Sequence, residues 1–303
     1  MAVYSHSKLQ SFEQCKYKYK LKYIDKIPSP IEKSIEAHLG TCVHDALEWL
    51  YKEVLQNKLP TLDETLATYT QNWQNDWSNK IVIVKQNLTD KDYFNKGIKF
   101  IIDYYTKHAP FKDGTKELEK KIWVTLEKDF PHKIIGFIDR LVYNQETKEY
   151  EVHDYKTAKS LPNRNKFEQD RQLALYSIGI KQLYGEHHPV LLTWHYLNHN
   201  MRIDSRRTDD QLKQLKKEIM KLIREIENNK EWPTTKMILC DWCEYKTYCK
   251  AHGNCLPEQY KHEQSTLDLS KKENGTLIKK ENPLPNNSED LSNFPTVAKY
   301  IKG

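Results

Sequence analysis

Two segments of this sequence set carboxylates among apolar neighbours. One is Gly136-Phe137-Ile138-Asp139-Arg140-Leu141-Val142; the other is Tyr150-Glu151-Val152-His153-Asp154-Tyr155-Lys156-Thr157. A carboxylate near a buried sheet position is costly unless it is paired or bound to a cation. Two on neighbouring strands repel each other unless a positive ion lies between them. Hard divalent ions such as Mg²⁺ or Mn²⁺ prefer such oxygen ligands. Lys156 follows Asp154 by two residues, so on a strand both share a face. An amine there offsets negative charge building on a phosphate, or helps to deprotonate an attacking water. The competing reading makes Asp139–Arg140 and Asp154–Lys156 ordinary surface ion pairs. Either segment alone favours that reading; two further features reverse the balance. Gly40-Thr41-Cys42-Val43-His44 puts an imidazole beside an apolar helical stripe. As a third ligand, His44 would favour Mn²⁺ over a purely oxygen-loving ion. Gln172 and Tyr176 stand four apart, on one face of a helix.

A second set of residues is sulfur-based. Cys240-Asp-Trp-Cys243-Glu-Tyr-Lys-Thr-Tyr-Cys249 reads CxxCxxxxxC, and Cys15 lies far upstream. Three clustered thiols and one distant thiol suit a group that clasps the chain ends together. Four cysteines hold either a [4Fe–4S] cluster or zinc. Structural zinc sites usually pair two CxxC knuckles, and only one is present, so the spacing leans towards iron–sulfur. The alternative is a set of reduced, buried cysteines. Cys42 falls on the apolar helix face and reads as core. Cys255, six residues after Cys249, is a rival ligand.

Composition bounds what remains. The chain has 303 residues, 48 Lys plus Arg against 42 Asp plus Glu, and a net charge of +6. With 9 glycines and no GxxxxGK[ST] or GxGxxG, a phosphate-binding loop and its motor chemistry are excluded. No stretch approaches the ~20 apolar residues of a membrane helix. The opening residues lack a signal-peptide core. The sequence therefore predicts a soluble, cytoplasmic protein with no membrane association. There, six cysteines point to metal or redox chemistry rather than disulfides.

The elements that must position these groups follow from periodicity. Residues 7–25 fit a helix, broken by Pro28 and Pro30. A second helix is expected from about Ile35 to Gln56, with Leu39, Val43, Ala46, Leu47 and Leu50 as its stripe. Residues 62–108 read as further helices. Segments from Lys121, from His132 to Asn144 and from Glu149 to Thr157 alternate like strands. Residues 166–184 return to helical spacing, Pro189 to Asn200 reads as a strand, and 208–229 as an amphipathic helix. That order argues for a mixed α/β domain with a central sheet. Residues 256–303 are polar, near neutral and expected to lack a packed core.

In the order GxxxH, GxxD, DxK, QxxxY, the motifs at Gly40–His44, Gly136–Asp139, Asp154–Lys156 and Gln172–Tyr176 resemble the RecB-type branch of the PD-(D/E)XK nucleases. The resemblance covers roughly residues 5–250. Ile138 stands where the family name implies proline. The resemblance implies a restriction-endonuclease-like α/β core, a central mixed sheet flanked by helices. It adds a helical N-terminal insertion at about 58–118 and a C-terminal Cys-rich region. Residues 1–255 would form this domain, followed by a tail at 256–303. By resemblance His44, Asp139, Asp154 and the Tyr155 carbonyl hold Mn²⁺ or Mg²⁺. Lys156 is then the catalytic lysine, with Gln172 and Tyr176 organising the site and the DNA strand.

One cysteine before these motifs and CxxCx₅C after them is similar to an iron–sulfur subgroup. It includes AddB-type nuclease subunits and CRISPR-associated single-strand exonucleases. In that subgroup Cys15, Cys240, Cys243 and Cys249 would bind a structural [4Fe–4S] cluster. The implied function is metal-dependent exonuclease action on single-stranded DNA or DNA ends. The setting would be recombination, repair or CRISPR adaptation, beside a helicase or recombination partner. A nuclease-inactive DNA-binding accessory protein and a structure-specific endonuclease are the alternatives. The Lys/Tyr-rich opening helix and the segment Arg164–Arg171 are expected to meet phosphates and bases.

Overall fold

The computed structural model describes residues 2–260. Helix α1 (His6–Gln14) starts at Ser5, whose side chain accepts a hydrogen bond from the Lys8 N–H. The chain then becomes extended at Cys15 (φ −158°) before α2 (Lys16–Tyr19), which runs on as a π-turn over Lys20–Ile24. The single expected helix is therefore broken, and Cys15 sits at the break. Helix α3 (Ile35–Leu55) matches its expected span and is capped by Ser34. Helices α4 (Leu62–Asn75) and α5 (Asp90–His108) each open on a capping box, Thr61 with Glu64 and Thr89 with Asp92.

The main sheet has six strands: β1 (Val3–Ser5), β4 (Thr115–Thr125), β5 (Lys133–Asn144), β6 (Glu149–Lys156), β7 (Val190–Tyr196) and β8 (Met201–Ser205). A separate two-residue pair joins β2 (Lys33–Ser34) to β3 (Ile81–Val82). The order is β1-β5-β6-β7-β8, with β4 along the other edge of β5. β6 and β7 run parallel, joined by a crossover that contains α7 (Arg171–Tyr184). A short α6 (Arg164–Glu168) precedes α7, and Asp170 caps the latter, so the expected 166–184 helix is split. Helix α8 (Asp209–Asn228) closes the order of helices. Beyond Tyr260 the expected polar tail lies outside the described residues. Before it, Leu256 is buried, so the packed body extends past 255.

The register of β5 matters most. β4 pairs with it from Lys133 to Val142, with a bulge between Thr115 and Glu117. On the opposite edge β1 pairs with Lys133–Ile135, and β6 pairs only from Arg140 onwards. Gly136 to Asp139 therefore line a notch in the sheet. The end of β1 bounds the notch on one side, and the end of β6 on the other.

Apolar residues fill two main layers. Leu141, Val152, Leu173, Leu175 and Ile223 belong to one, between the sheet, α7 and α8. Leu47, Tyr51, Tyr69, Trp73, Ile101 and Tyr155 belong to the other, where α3, α4 and α5 cover the opposite face. The notch thus opens between two packed layers.

Candidate active site and thiol cluster

The notch gathers the residues singled out by type and spacing. His44 projects from α3, half-buried. Its Nε2 lies 2.8 Å from the Tyr155 carbonyl, and its Nδ1 lies 3.4 Å from Asp139 Oδ2. Asp139 Oδ2 also accepts the Tyr155 backbone N–H at 2.9 Å. Asp154 is 3% exposed and its Oδ2 lies 2.7 Å from Lys156 Nζ. That oxygen receives no directed hydrogen bond. Lys156 Nζ donates to Gln172 Oε1 at 3.1 Å, and Gln172 Nε2 donates to the Tyr176 hydroxyl at 3.2 Å.

Neither aspartate belongs to a surface pair. In Asp154–Lys156 the carboxylate is buried and the lysine half-buried, and Asp139 does not pair with Arg140. The Arg140 guanidinium turns away, buried, to Asp113, to the Tyr155 hydroxyl at 2.9 Å and to His153 Nδ1 at 2.9 Å. It lies over the Tyr51 ring, 4.2 Å from its centre. This knot fixes β5 against β6 immediately behind the notch.

Packing explains one glycine. A Cβ at Gly136 would stand 2.3 Å from Tyr176 Cε1. The tyrosine ring lies flat against the strand only because no side chain is there. α7 is thereby pulled close enough for Gln172 to reach Lys156.

The electrostatics fit a cation site. Burial, then Asp154, push the Asp139 carboxyl up to about 6; His44 and the Tyr155 N–H pull it the other way. Burial lowers the Lys156 amine, but Asp154, then Asp139, hold it well above its ordinary value. A carboxylate that resists ionising beside a second, buried one is a donor set a divalent ion would complete. His44, Asp139 and the Tyr155 carbonyl meet directly, whereas Asp154 stands back, held by Lys156.

Two neighbours escaped the sequence reading. Glu119 lies between Leu118 and Lys120, whose partners Arg140 and Ile138 flank Asp139, and holds a left-handed backbone (φ 45°). Burial, then Asp139 and Glu48, push its carboxyl up to about 7. His6 follows β1 at the other lip of the notch. Burial, then Arg171 and Lys156, lower its imidazole to about 4. Strand alternation carries no signal for Glu119; only its place near Asp139 does.

The opening helices differ from expectation. Lys16 pairs with Glu225, Lys18 and Lys22 with Glu244, and Lys20 with Asp25. Arg171 pairs with Glu13 at 2.5 Å. The pairs from Lys16, Lys18 and Lys22 tie the opening helices to the residues at 225–244.

The same ends bring the thiols together. Cys15, Cys240, Cys243 and Cys249 line one cavity with Tyr17, Met237 and other residues; Cys255 is exposed and does not line it. The Tyr245 hydroxyl donates to the Ile27 carbonyl at 2.8 Å, and the Tyr17 N–H to the Pro233 carbonyl at 3.1 Å. A tetrahedral zinc with bonds of about 2.3 Å would draw its thiolates to within ~4 Å of one another. Among the described residues, only His38, Cys42 and Asp76 bring three such ligand atoms within 4.8 Å of one another. Among the described residues, no three of the four thiols lie within that distance of one another. In the His38–Cys42–Asp76 trio, Lys33 pairs with Asp76. Cys42 is buried there, as core.

A notched mixed sheet with two aspartates, and a lysine two residues after the second, is the framework of a nuclease core. The model of the PD-(D/E)XK nuclease superfamily matches residues 3–250. The chain belongs to that superfamily, whose members typically use divalent metals such as Mg²⁺ or Mn²⁺. Among solved structures it is similar to a candidate exonuclease from Eubacterium rectale. The two share 15% identity and a TM-score of 0.47, over 88% of this chain and 92% of that one. It is also similar to SSO0001, with 14% identity and a TM-score of 0.35 over 81% and 95%. No curated protein matches. No helix among the described residues is long and apolar enough to cross a membrane.

Proposed function

We propose that this chain is a metal-dependent DNA exonuclease acting on single strands or DNA ends. The observation that carries this reading is the notch. There His44 contacts Asp139 and the Tyr155 carbonyl, and Asp154 stands back with Lys156 beside it. His44, Asp139, Asp154 and the Tyr155 carbonyl would hold Mn²⁺ or Mg²⁺. A bound divalent ion supplies Lewis acidity, lowering the pKa of a coordinated water and taking up phosphate charge.

The chain's own residues do the rest. Lys156, kept protonated by Asp154, offsets the charge gained by the phosphate in the transition state. Gln172 aims the ammonium, and Tyr176 steadies Gln172. His44 orients Asp139. Arg140 holds the two strands at a fixed separation, so these groups need not reorganise during reaction.

The thiol cavity supports a [4Fe–4S] cluster held by Cys15, Cys240, Cys243 and Cys249, with a structural role. It would pin the opening helices onto the residues after α8. A helicase or a recombination or CRISPR-adaptation partner would supply the exposed strands.

The test is to purify the protein anaerobically, record its visible spectrum, and incubate it with end-labelled single- and double-stranded DNA. Mn²⁺ or Mg²⁺ should release the end label first and EDTA should stop it, in a brown protein. Uncut DNA under every metal condition would refute the enzyme, and internal cuts ahead of end release would refute exonuclease action. Colourless, zinc-loaded protein would refute the cluster.

A further inference from the structure

The face of β4 and β5 that leads away from the notch is open. Alternation puts Ile122, Val124, Ile134 and Gly136 on the inner face, against α7. The outer face presents Trp123, 43% exposed, and Phe137, 48% exposed. Lys121 stands directly across from Phe137, and Trp123 across from Ile135. Lys121 Nζ lies 5.1 Å from the centre of the Trp123 ring. Lys133 continues the same face towards β1. Short of Glu119 and Asp139 themselves, none of the register positions on this face holds a carboxylate.

Phe137 precedes Asp139 by two residues, about 7 Å along a strand. Trp123 lies on the diagonal from Phe137, roughly 7–8 Å further. Two flat rings are thus stepped outward from the candidate metal site, with a lysine between them. A packed protein seldom leaves neighbouring large aromatic rings in water without a partner. Bases offer flat faces and phosphates offer negative charge, and aromatic rings interleaved with cations bind both.

We infer that Trp123 and Phe137 form a base-stacking platform that seats the single strand leading into the notch, with Lys121 at its phosphate. This rests on the nuclease reading and narrows its substrate to unpaired DNA at this face. A duplex cannot use the platform, because its bases are already stacked on one another.

The test is binding, measured apart from cleavage. Fluorescence anisotropy follows labelled single-stranded and duplex oligonucleotides of equal length in EDTA. Trp123→Ala and Phe137→Ala should each weaken single-strand affinity roughly tenfold and leave duplex affinity unchanged. Trp123→Phe should retain most of the affinity. Lys121→Ala should lower the slope of log affinity against log salt by about one. Unchanged single-strand affinity in the double variant would overturn the platform. So would an equal loss for duplex, or a change in oligomeric state in place of a change in binding. Wild-type protein that binds single strands through these rings yet never cuts would sink the nuclease reading and leave the platform standing.

Discussion

Asp139 carries its charge in a place that resists it. Burial and Asp154 raise its carboxyl from 3.8 to about 6. The folded chain therefore holds that proton more tightly than the unfolded one. The resulting stability is fully present below about pH 4 and is lost as pH rises through about 6. Without divalent ion, Asp139→Asn should gain stability over wild type as pH rises from 4 to 7, by roughly 2 kcal/mol. Thermal melts in EDTA across that range check it; a constant difference would contradict it. Mn²⁺ should raise the melting temperature of wild type and not of the variant, because only a site with its ligands intact gains from the ion. At this scale the sequence was informative: the aspartates, Lys156, Gln172 and Tyr176 meet as their spacing implies. It was silent on Glu119 and His6, which enter the site through what lies near them.

At the scale of elements, the notch depends on how closely α7 approaches β5. Gly136→Ala should push the Tyr176 ring away and break its bond to Gln172. A loss of 1–3 kcal/mol in stability and a sharp drop in cleavage are expected, measured by melting and by rate. Full activity would show that α7 does not set Lys156. Strands β5 and β6 were legible because apolar runs flank their charges, and α3 because its stripe is regular. β1 was not, since three residues carry no period, and its role comes from pairing with β5. β8 is a short, polar edge strand, Met-Arg-Ile-Asp-Ser, with little apolar signal. The break at Cys15 lies inside an unbroken Lys/Tyr pattern. Only packing against the residues after α8 reveals it.

At the scale of the molecule, the two ends of the described chain are joined twice, by ion pairs and by the thiol cavity. A net charge of +6 suggested a basic opening helix free for DNA; four of its lysines pair instead with Glu225, Asp25 and the shared Glu244. Lys121 and Lys133 are cations on the sheet face beside the notch. Cleavage should still fall steeply between low and moderate salt, as phosphate contacts require. Cys15→Ser or Cys240→Ser should lose the brown chromophore and lower the melting temperature, since binding a buried group is coupled to folding. A variant that stays brown and equally stable would contradict that assignment. The notch itself is tested most directly by Lys156→Ala, assayed on end-labelled single-stranded DNA with Mn²⁺ beside wild type of equal iron content. The variant should fold, keep its chromophore and cut at least roughly 100-fold more slowly. Digestion at the wild-type rate would contradict the account.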